Sequence, residues 1–439
     1  MHGYGGRILH VDLSRGTYTI TAFDEAFAQT FLGGNGFAIR LLYEHVPPGT
    51  DPLSPQNMIV FAVGPLTDTP VPGATRCCAA TKSPLTGLFC DSTFGGMFAA
   101  MQKRTGFDAI AIRGRAPQPV YLLVHEEGAV LKPADDLWGR FTRDTNQAIR
   151  QREGEEVEVL AIGPAGENRV RFACAVHTWE RSRDGVAGRG GLGAVMGAKN
   201  LKAVAVRGTR KTTVADPEAL KALLAEVREP MKVGTAALKE FGTTVLVTLI
   251  NRIGALGTRN LQSEVYPQAE AISGEAFKAD FFVKDTTCFK CPVACGKDFH
   301  VREGEYAGTA WKMPEYETIY AFGSMLDNPH RASIVKANEL CDQLGMDTIS
   351  LGVTLALCLR VRGARPALSG TDGGALALWR LPHHAGAHRS HRLPPRLWRP
   401  LGRGFGAAGS AAGPRKRTST STPSKASSCP PTLPVSSKA

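Results

Sequence analysis

From residue 8 to residue 206 the chain alternates short apolar runs with glycine-bearing turns, and few of these runs are long enough for an amphipathic helix. Apolar runs of a few residues bounded by Gly, Pro, Asn and Ser read as strands. Ile8 to Leu13 and Thr17 to Ile20 flank Ser14-Arg15-Gly16, which predicts a β-hairpin. Further strands are expected over Met58 to Val63, Ala109 to Ile112, Tyr121 to His125, Val157 to Ile162, Val170 to Val176 and Ala203 to Val206. Only Phe37 to His45, Met97 to Thr105 and Thr142 to Gln151 carry the helical period. Residues 1–208 therefore read as a β-sheet-rich α/β unit.

After Gly208 the texture changes. Asp216-Pro217 supplies an N-cap and a proline at the first helical position, opening a helix through Leu220, Leu223, Leu224 and Val227. Helical patterns at Arg331 to Leu344 and Thr348 to Leu357 make residues 209–357 a mainly helical second unit, so the fold class is α/β (α+β). From 358 to 439 neither period survives. Arg, His, Pro, Ala, Gly, Ser and Thr accumulate without the apolar residues a core needs, which reads as a low-complexity, disordered tail. Four histidines there lack metal-like context, and a GC-rich gene read out of frame would give this texture.

The formal charge of +12 is concentrated in that tail. It holds fourteen Lys or Arg and the single acid Asp372, which leaves 38 basic and 39 acidic residues in the first 357. A nearly neutral body argues against nucleic acid as partner, since charge acts where it is located. The N-terminus lacks the basic and apolar regions of a secretory signal, and no apolar run approaches a bilayer span; the expectation is a cytoplasmic protein with reduced thiols and no membrane partner.

Of ten cysteines, only Cys288, Cys291 and Cys295 have ligand-like spacing, C-x2-C-x3-C. Three thiolates in so short a loop can take three corners of an iron–sulfur cubane, each sulfur a ligand once deprotonated. Zinc and unligated thiols are the alternatives, although zinc wants four ligands and no second pair follows nearby. Gly188-Arg189-Gly190-Gly191 through Asn200 lets backbone N–H groups approach an anion, with Arg189 as a phosphate fork, or else makes a tight connection between elements. Arg76, Lys82 to Gly87 and Phe94-Gly95-Gly96 form a similar cation-and-glycine segment, alternatively a solvated loop. Asp342 and Asp347 bracket Gly345, which is placed as a helix C-cap; the carboxylates could receive N–H groups of a heterocycle, or Asp347 could cap the next helix. Glu315 and Glu317 in Pro314-Glu315-Tyr316-Glu317-Thr318 are candidates for acid–base work.

In this order the motifs resemble the tungsten-pterin aldehyde:ferredoxin oxidoreductase family, along with Gly64-Pro65-Leu66-Thr67, Ile162-Gly163-Pro164-Ala165-Gly166-Glu167-Asn168 and Asn338-Glu339-Leu340-Cys341-Asp342 through Ser350. The likeness covers residues 3 to 357. It implies an N-terminal sheet base carrying a tungstopterin or molybdopterin, helical domains above it, a [4Fe–4S] cluster, and oxidation of an aldehyde to a carboxylic acid with electrons leaving to ferredoxin. Carried over by position, Arg76, Thr93, Gly95, Ala187, Gly188 and Arg189 are implied as contacts of the pterin phosphates, partly through a magnesium on backbone carbonyls. Asp342, Gly345 and Asp347 are implied at the pterin ring, Cys288, Cys291 and Cys295 on the cluster, and Glu317 near the metal as proton carrier. Thr93 stands where the family often has Asn, a change that a main-chain contact tolerates. The family's second Asp-x-x-Gly-Leu-Cys motif, source of the fourth cluster ligand, has no match here, and Cys429 lacks its surroundings. A truncated, impaired enzyme is therefore expected, and a homodimer is a further expectation; a non-catalytic iron–sulfur or cofactor-binding protein is the alternative.

Overall fold

The computed structural model describes residues 1–178 and 184–361; the tail assigned from 358 lies outside them from residue 362 on, as does Cys429. Twelve strands form two sheets. The first contains β1 (Arg7–Asp12), β2 (Thr17–Ala22), β3 (Ile59–Val63), β4 (Cys77–Lys82), β5 (Phe89–Phe94) and β6 (Ala109–Arg113) in the order β2-β1-β6-β3-β4-β5. The second contains β7 (Val120–His125), β8 (Gly128–Pro133), β9 (Glu158–Ile162), β10 (Ala175–His177), β11 (Gly185–Ala187) and β12 (Leu201–Val206), ordered β8-β7-β12-β9-β10-β11. The two orders are the same sequence of positions. The pairing senses also match: a leading hairpin, one parallel pair (β1 with β6, β7 with β12), then antiparallel neighbours. One folding unit thus occurs twice.

Alternation of side chains across each strand explains the layers. Leu9, Val11, Phe61 and Ile110 of the first sheet meet Leu122, Val124, Leu160 and Val204 of the second in a shared core, with Phe98, Met101, Val195 and Met196 from two short helices between them. The outer face of the first sheet is covered by helix Asn35–His45, through Phe37, Leu41 and Leu42. Helix Thr142–Glu153 covers the outer face of the second through Ala148 and Ile149. Buried ion pairs tie the layers. Lys103 contacts Asp108 at 2.5 Å, and Lys202 contacts Glu167.

The sequence reading differs in places. It assigns no strand to residues 76–96, whereas β4 and β5 form an antiparallel hairpin there. It makes a strand of Val170 to Val176, but only Ala175–His177 is extended; Val170 donates to the Ala165 carbonyl and Ala173 to Val170 in a turn. Helix Thr348–Val361 runs four residues past Leu357. Helix Pro217–Gly234 forms as expected, with Asp216 accepting from the Ala219 N–H at 2.9 Å, yet it has no buried residue. The helical unit also holds a three-stranded sheet, β13 (Phe282–Thr286), β14 (Gly296–His300) and β15 (Ala310–Lys312). Among the described residues no single helix is long and apolar enough to cross a membrane.

His177 sits fully buried between the sheets; its Nδ1 lies 3.0 Å from the Val159 carbonyl and its Nε2 3.3 Å from the Met97 N–H. With the Met97 N–H aimed at Nε2 that pairing fits the neutral ring with its proton on Nδ1, and Glu158 Oε2, 3.4 Å from Nε2, is taken up by Arg150 at 2.8 Å. Burial pushes its pKa down to about 3 from 6.5. Below pH 6.5 the unfolded chain binds a proton the folded chain refuses, so stability falls as pH drops from 6.5 towards 3, by at most about 1.4 kcal/mol per unit from this group. Denaturant unfolding over that range should show a steeper decline for the parent than for His177→Gln; equal slopes would refute the neutral assignment.

Candidate functional site

A cleft of about 310 Å³ opens where the two sheets meet the helical unit. Its floor comes from the ends of β5 and β11, which touch so closely that a Cβ on Gly185 would lie 2.4 Å from the Gly95 carbonyl oxygen. The strands end in related sequences. Gly95-Gly96-Met97-Phe98-Ala99-Ala100-Met101 follows β5, and Gly190-Gly191-Leu192-Gly193-Ala194-Val195-Met196 follows β11; each opens a short helix leading to β6 or β12. The duplicated unit therefore repeats one glycine turn, a signal that the sequence reading missed; Gly95 of the first turn and Gly188, just before the second, line the cleft.

Arg76, Thr93, Gly95, Gly188, Arg189, Glu317, Asp342, Asp347 and Cys288 all line this cleft. Arg76 is exposed and fixed by donating to the Thr93 carbonyl at 2.9 Å. Arg189, also exposed, reaches across to the helical wall and contacts Asp347 Oδ2 at 2.7 Å. The two guanidinium groups therefore sit on the sheet side and Glu317, Asp342 and Asp347 on the helical side, with Asp184 on the sheet side and Lys312 on the helical side as the exceptions. Ala187 and Gly345 are buried and do not line the cleft. Gly345 adopts φ 72° as the C-cap of helix Arg331–Leu344, and a Cβ there would press on the Gly163 nitrogen at 2.8 Å. Its role is to let the Gly163 and Gly345 motifs abut, helped by the Cys174 N–H bond to the Gly345 carbonyl at 2.8 Å.

Lys82 does not join Arg76. It stands at the other end of β4, and five strand steps span roughly 17 Å. Much of the Gly188 to Asn200 run serves packing: Cβ atoms on Gly193 and Gly197 would strike the Cys174 and Gly166 carbonyls at 2.4 and 1.9 Å.

The two aspartates differ. Asp342 Oδ2 accepts from the Trp311 indole at 2.8 Å and faces the Lys312 ammonium at 3.1 Å. Asp347 accepts from the Ile349 N–H at 3.1 Å and the Ser350 hydroxyl at 2.5 Å, so it does cap the following helix. Burial raises its pKa, with Arg189 opposing. Glu317 is exposed in the first turn of helix Tyr316–Phe322. Burial and then the Glu317 charge push the neighbouring Tyr316 phenol up to about 12. Lys312 and Asp184 also line the cleft and were not expected, since nothing in their spacing marks them; Asn338, which opens the 338–350 motif, lines it too.

The cysteine run joins β13 to β14, its ends pinned by the Thr286–Gly296 pair. Lys290 and Ala294 take φ 55° and 50°, curling the loop, and Cys291 donates to the Cys288 carbonyl at 3.0 Å. Cys288 enters the cleft, while half-buried Cys291 and Cys295 lie behind it. Lys290 anchors the loop on Asp68 at 3.1 Å, and Phe289 donates to the Gly96 carbonyl at 3.3 Å. Among the described residues no three His, Cys, Asp or Glu side chains converge as a single-ion site would require. Corners of a cubane, each taking one thiolate, need no such convergence.

Residues 8–208 match the profile of the aldehyde ferredoxin oxidoreductase N-terminal domain, and residues 218–364 match that of domains 2 and 3 of the same enzymes. The chain belongs to the aldehyde ferredoxin oxidoreductase family. Within it, the tungsten-containing aldehyde ferredoxin oxidoreductase of Pyrococcus abyssi is 43% identical over 366 residues, which is 82% of this chain and 59% of that protein. The counterpart of Thermococcus kodakarensis is 38% identical over 370 residues, again 82% of this chain and 59% of that protein. The WOR-like subunit of an aliphatic sulfonate oxidoreductase of Pyrococcus furiosus is 31% identical over 371 residues, covering 80% of this chain and 58% of that one. The chain thus spans less than two thirds of these relatives. Among solved structures, the active-site complex BamBC of benzoyl coenzyme A reductase superposes with a TM-score of 0.72 at 28% identity, covering 82% of this chain and 56% of that chain.

Proposed function

We propose that the cleft holds a phosphorylated pterin carrying tungsten or molybdenum beside a [4Fe–4S] cluster on Cys288, Cys291 and Cys295, and that the site oxidises an aldehyde to a carboxylate with ferredoxin as acceptor. The supporting observation is the predominant charge polarity of one cleft: Gly95, Gly188 and two guanidinium groups, with Asp184, on the sheet side; Glu317, Asp342 and Asp347, with Lys312, on the helical side; and the Cys288 thiol in the wall. A molecule with phosphates at one end and ring N–H groups at the other matches that polarity. The metal, when bound, supplies the two-electron oxidation.

The protein's residues divide the remaining work. Arg76 and Arg189 would bind phosphate oxygens, and the backbone of Thr93, Gly95 and Gly188 would approach them; a magnesium ion, if held by backbone carbonyls here, Ala187 among them, would neutralise phosphate charge. Asp342 and Asp347 orient the ring. Converting aldehyde and water to carboxylate releases two electrons and three protons; Glu317, at the cleft and open to solvent, takes a proton, and the cysteine loop lies on the electron path. Cytoplasmic residence and a homodimer complete the proposal.

Anaerobic expression with tungstate or molybdate tests it. Iron, pterin and one heavy metal should copurify with the chain, and aldehyde should reduce added ferredoxin. Iron without heavy metal would favour a non-catalytic iron–sulfur protein instead, and a preparation with none of the three sinks the proposal.

A further inference from the structure

Asp342 is 3% exposed and held on all sides. The Thr142 hydroxyl donates to its carbonyl at 2.8 Å, and the Trp311 indole that reaches its Oδ2 lies under the Arg143 guanidinium, 3.7 Å from the ring centroid. Lys312 faces the same oxygen at 3.1 Å, and its own carbonyl accepts from the Asn338 amide at 3.2 Å. Among the described residues both donors lie on Oδ2, which leaves Oδ1 as the acceptor edge. An ammonium has three N–H donors, and only one can point at Oδ2, so Lys312 keeps donors for the cleft it lines. Burial alone would lower its pKa, but the charges of Asp342, Asp184 and Glu315 outweigh it and hold the ammonium protonated. A fixed acceptor and a fixed donor thus stand side by side on two different elements.

The pyrimidinone edge of a pterin carries ring N–H groups next to a carbonyl oxygen, the complementary order. A ligand edge with N–H groups alone would leave the ammonium unmatched, which a buried polar site tolerates poorly. We infer that Lys312 is a positioning residue for the cofactor: it orients Asp342 and donates to the ring carbonyl beside the N–H groups that Asp342 receives. The inference rests on the pterin reading above.

The test compares the parent, Lys312→Met, Lys312→Arg and Asp342→Asn chains, expressed anaerobically in a host that makes molybdopterin. Pterin per chain is read by fluorescence after oxidation and release, alongside iron per chain and melting temperature. Lys312→Met should retain about tenfold less pterin, the scale of one charge-assisted hydrogen bond, with iron per chain unchanged and the melting temperature lowered no more than in Asp342→Asn. Lys312→Arg should restore most of it, and Asp342→Asn should lose pterin as Lys312→Met does. Parent-like pterin in Lys312→Met would overturn the role of Lys312 while leaving the pterin reading intact; a parent without pterin would overturn both. Parallel loss of pterin, iron and melting temperature in Lys312→Met would mark a structural residue only, and should methionine unfold the chain, Lys312→Gln against Lys312→Arg makes the same comparison.

Discussion

Gly197→Ala should lower the melting temperature by roughly 4–8 °C, whereas Gly188→Ala should leave it near the parent value. Both glycines lie in one motif, but their surroundings differ. A Cβ on Gly197 would sit 1.9 Å from the Gly166 carbonyl oxygen and 2.6 Å from its carbon, backbone atoms that cannot rotate away. Helix Leu192–Ala198 would have to lift off the second sheet, pulling fully buried Val195 and Met196 out of the shared core. Overpacking of that kind costs about 3 kcal/mol or more. The gain in helix propensity, about 1 kcal/mol, is too small to offset it. Among the described residues a Cβ on Gly188 would meet nothing nearer than Val186 Cγ1 at 3.7 Å, an ordinary contact. Loss from Gly188→Ala should therefore appear in pterin retention alone. Thermal melting of both variants decides the matter, and equal drops would mean that the glycines share one structural role.

The same contrast shows what a linear sequence conceals. Strands such as Ile59–Val63 announce themselves by β-branched and aromatic residues, and every side chain there is buried. Cys77-Cys78-Ala79-Ala80 carries no such preference; it is a strand because β3 and β5 pair on either side of it and because Cys77 and Ala79 enter one core while Cys78 and Ala80 enter another. Val170 to Val176 fails in the opposite sense, since its apolar residues are buried by a turn between layers rather than by a ladder. At the site, residues inside recognisable motifs could be listed from the sequence, and nine of them line one cleft. Lys312 and Asp184 could not, for what places them is the packing of β15 and β11 against the helical wall. The repeated Gly-Gly turn was legible in principle, but its meaning depends on two sheets having the same strand order.

Gly95→Ala should strip most of the iron from the chain while the sheet unit stays folded, provided the cysteine loop carries the proposed cluster. The backbone at Gly95 is not left-handed, so alanine is conformationally acceptable there. The conflict is with the thiol: the new Cβ would lie 2.6 Å from Cys288 Sγ, with Arg76 Nη1 at 3.9 Å on the same side. Strand β5 cannot retreat, because Gly185 already approaches the Gly95 carbonyl and β4 pairs along its full length. The cysteine loop yields more readily than β5, being held by Lys290 on Asp68, the Phe289 N–H bond to Gly96 and the one partly buried Phe289 ring against the sheet core. Displacing one corner thiolate by about an ångström breaks the geometry that a cubane needs, since ligand distances tolerate only tenths of that. Iron per chain, measured anaerobically beside the melting temperature, should fall without a matching fall in stability. Parent-like iron would place the cluster, if one binds, away from the sheet floor and would sever the link between the pterin cradle and the cysteine loop.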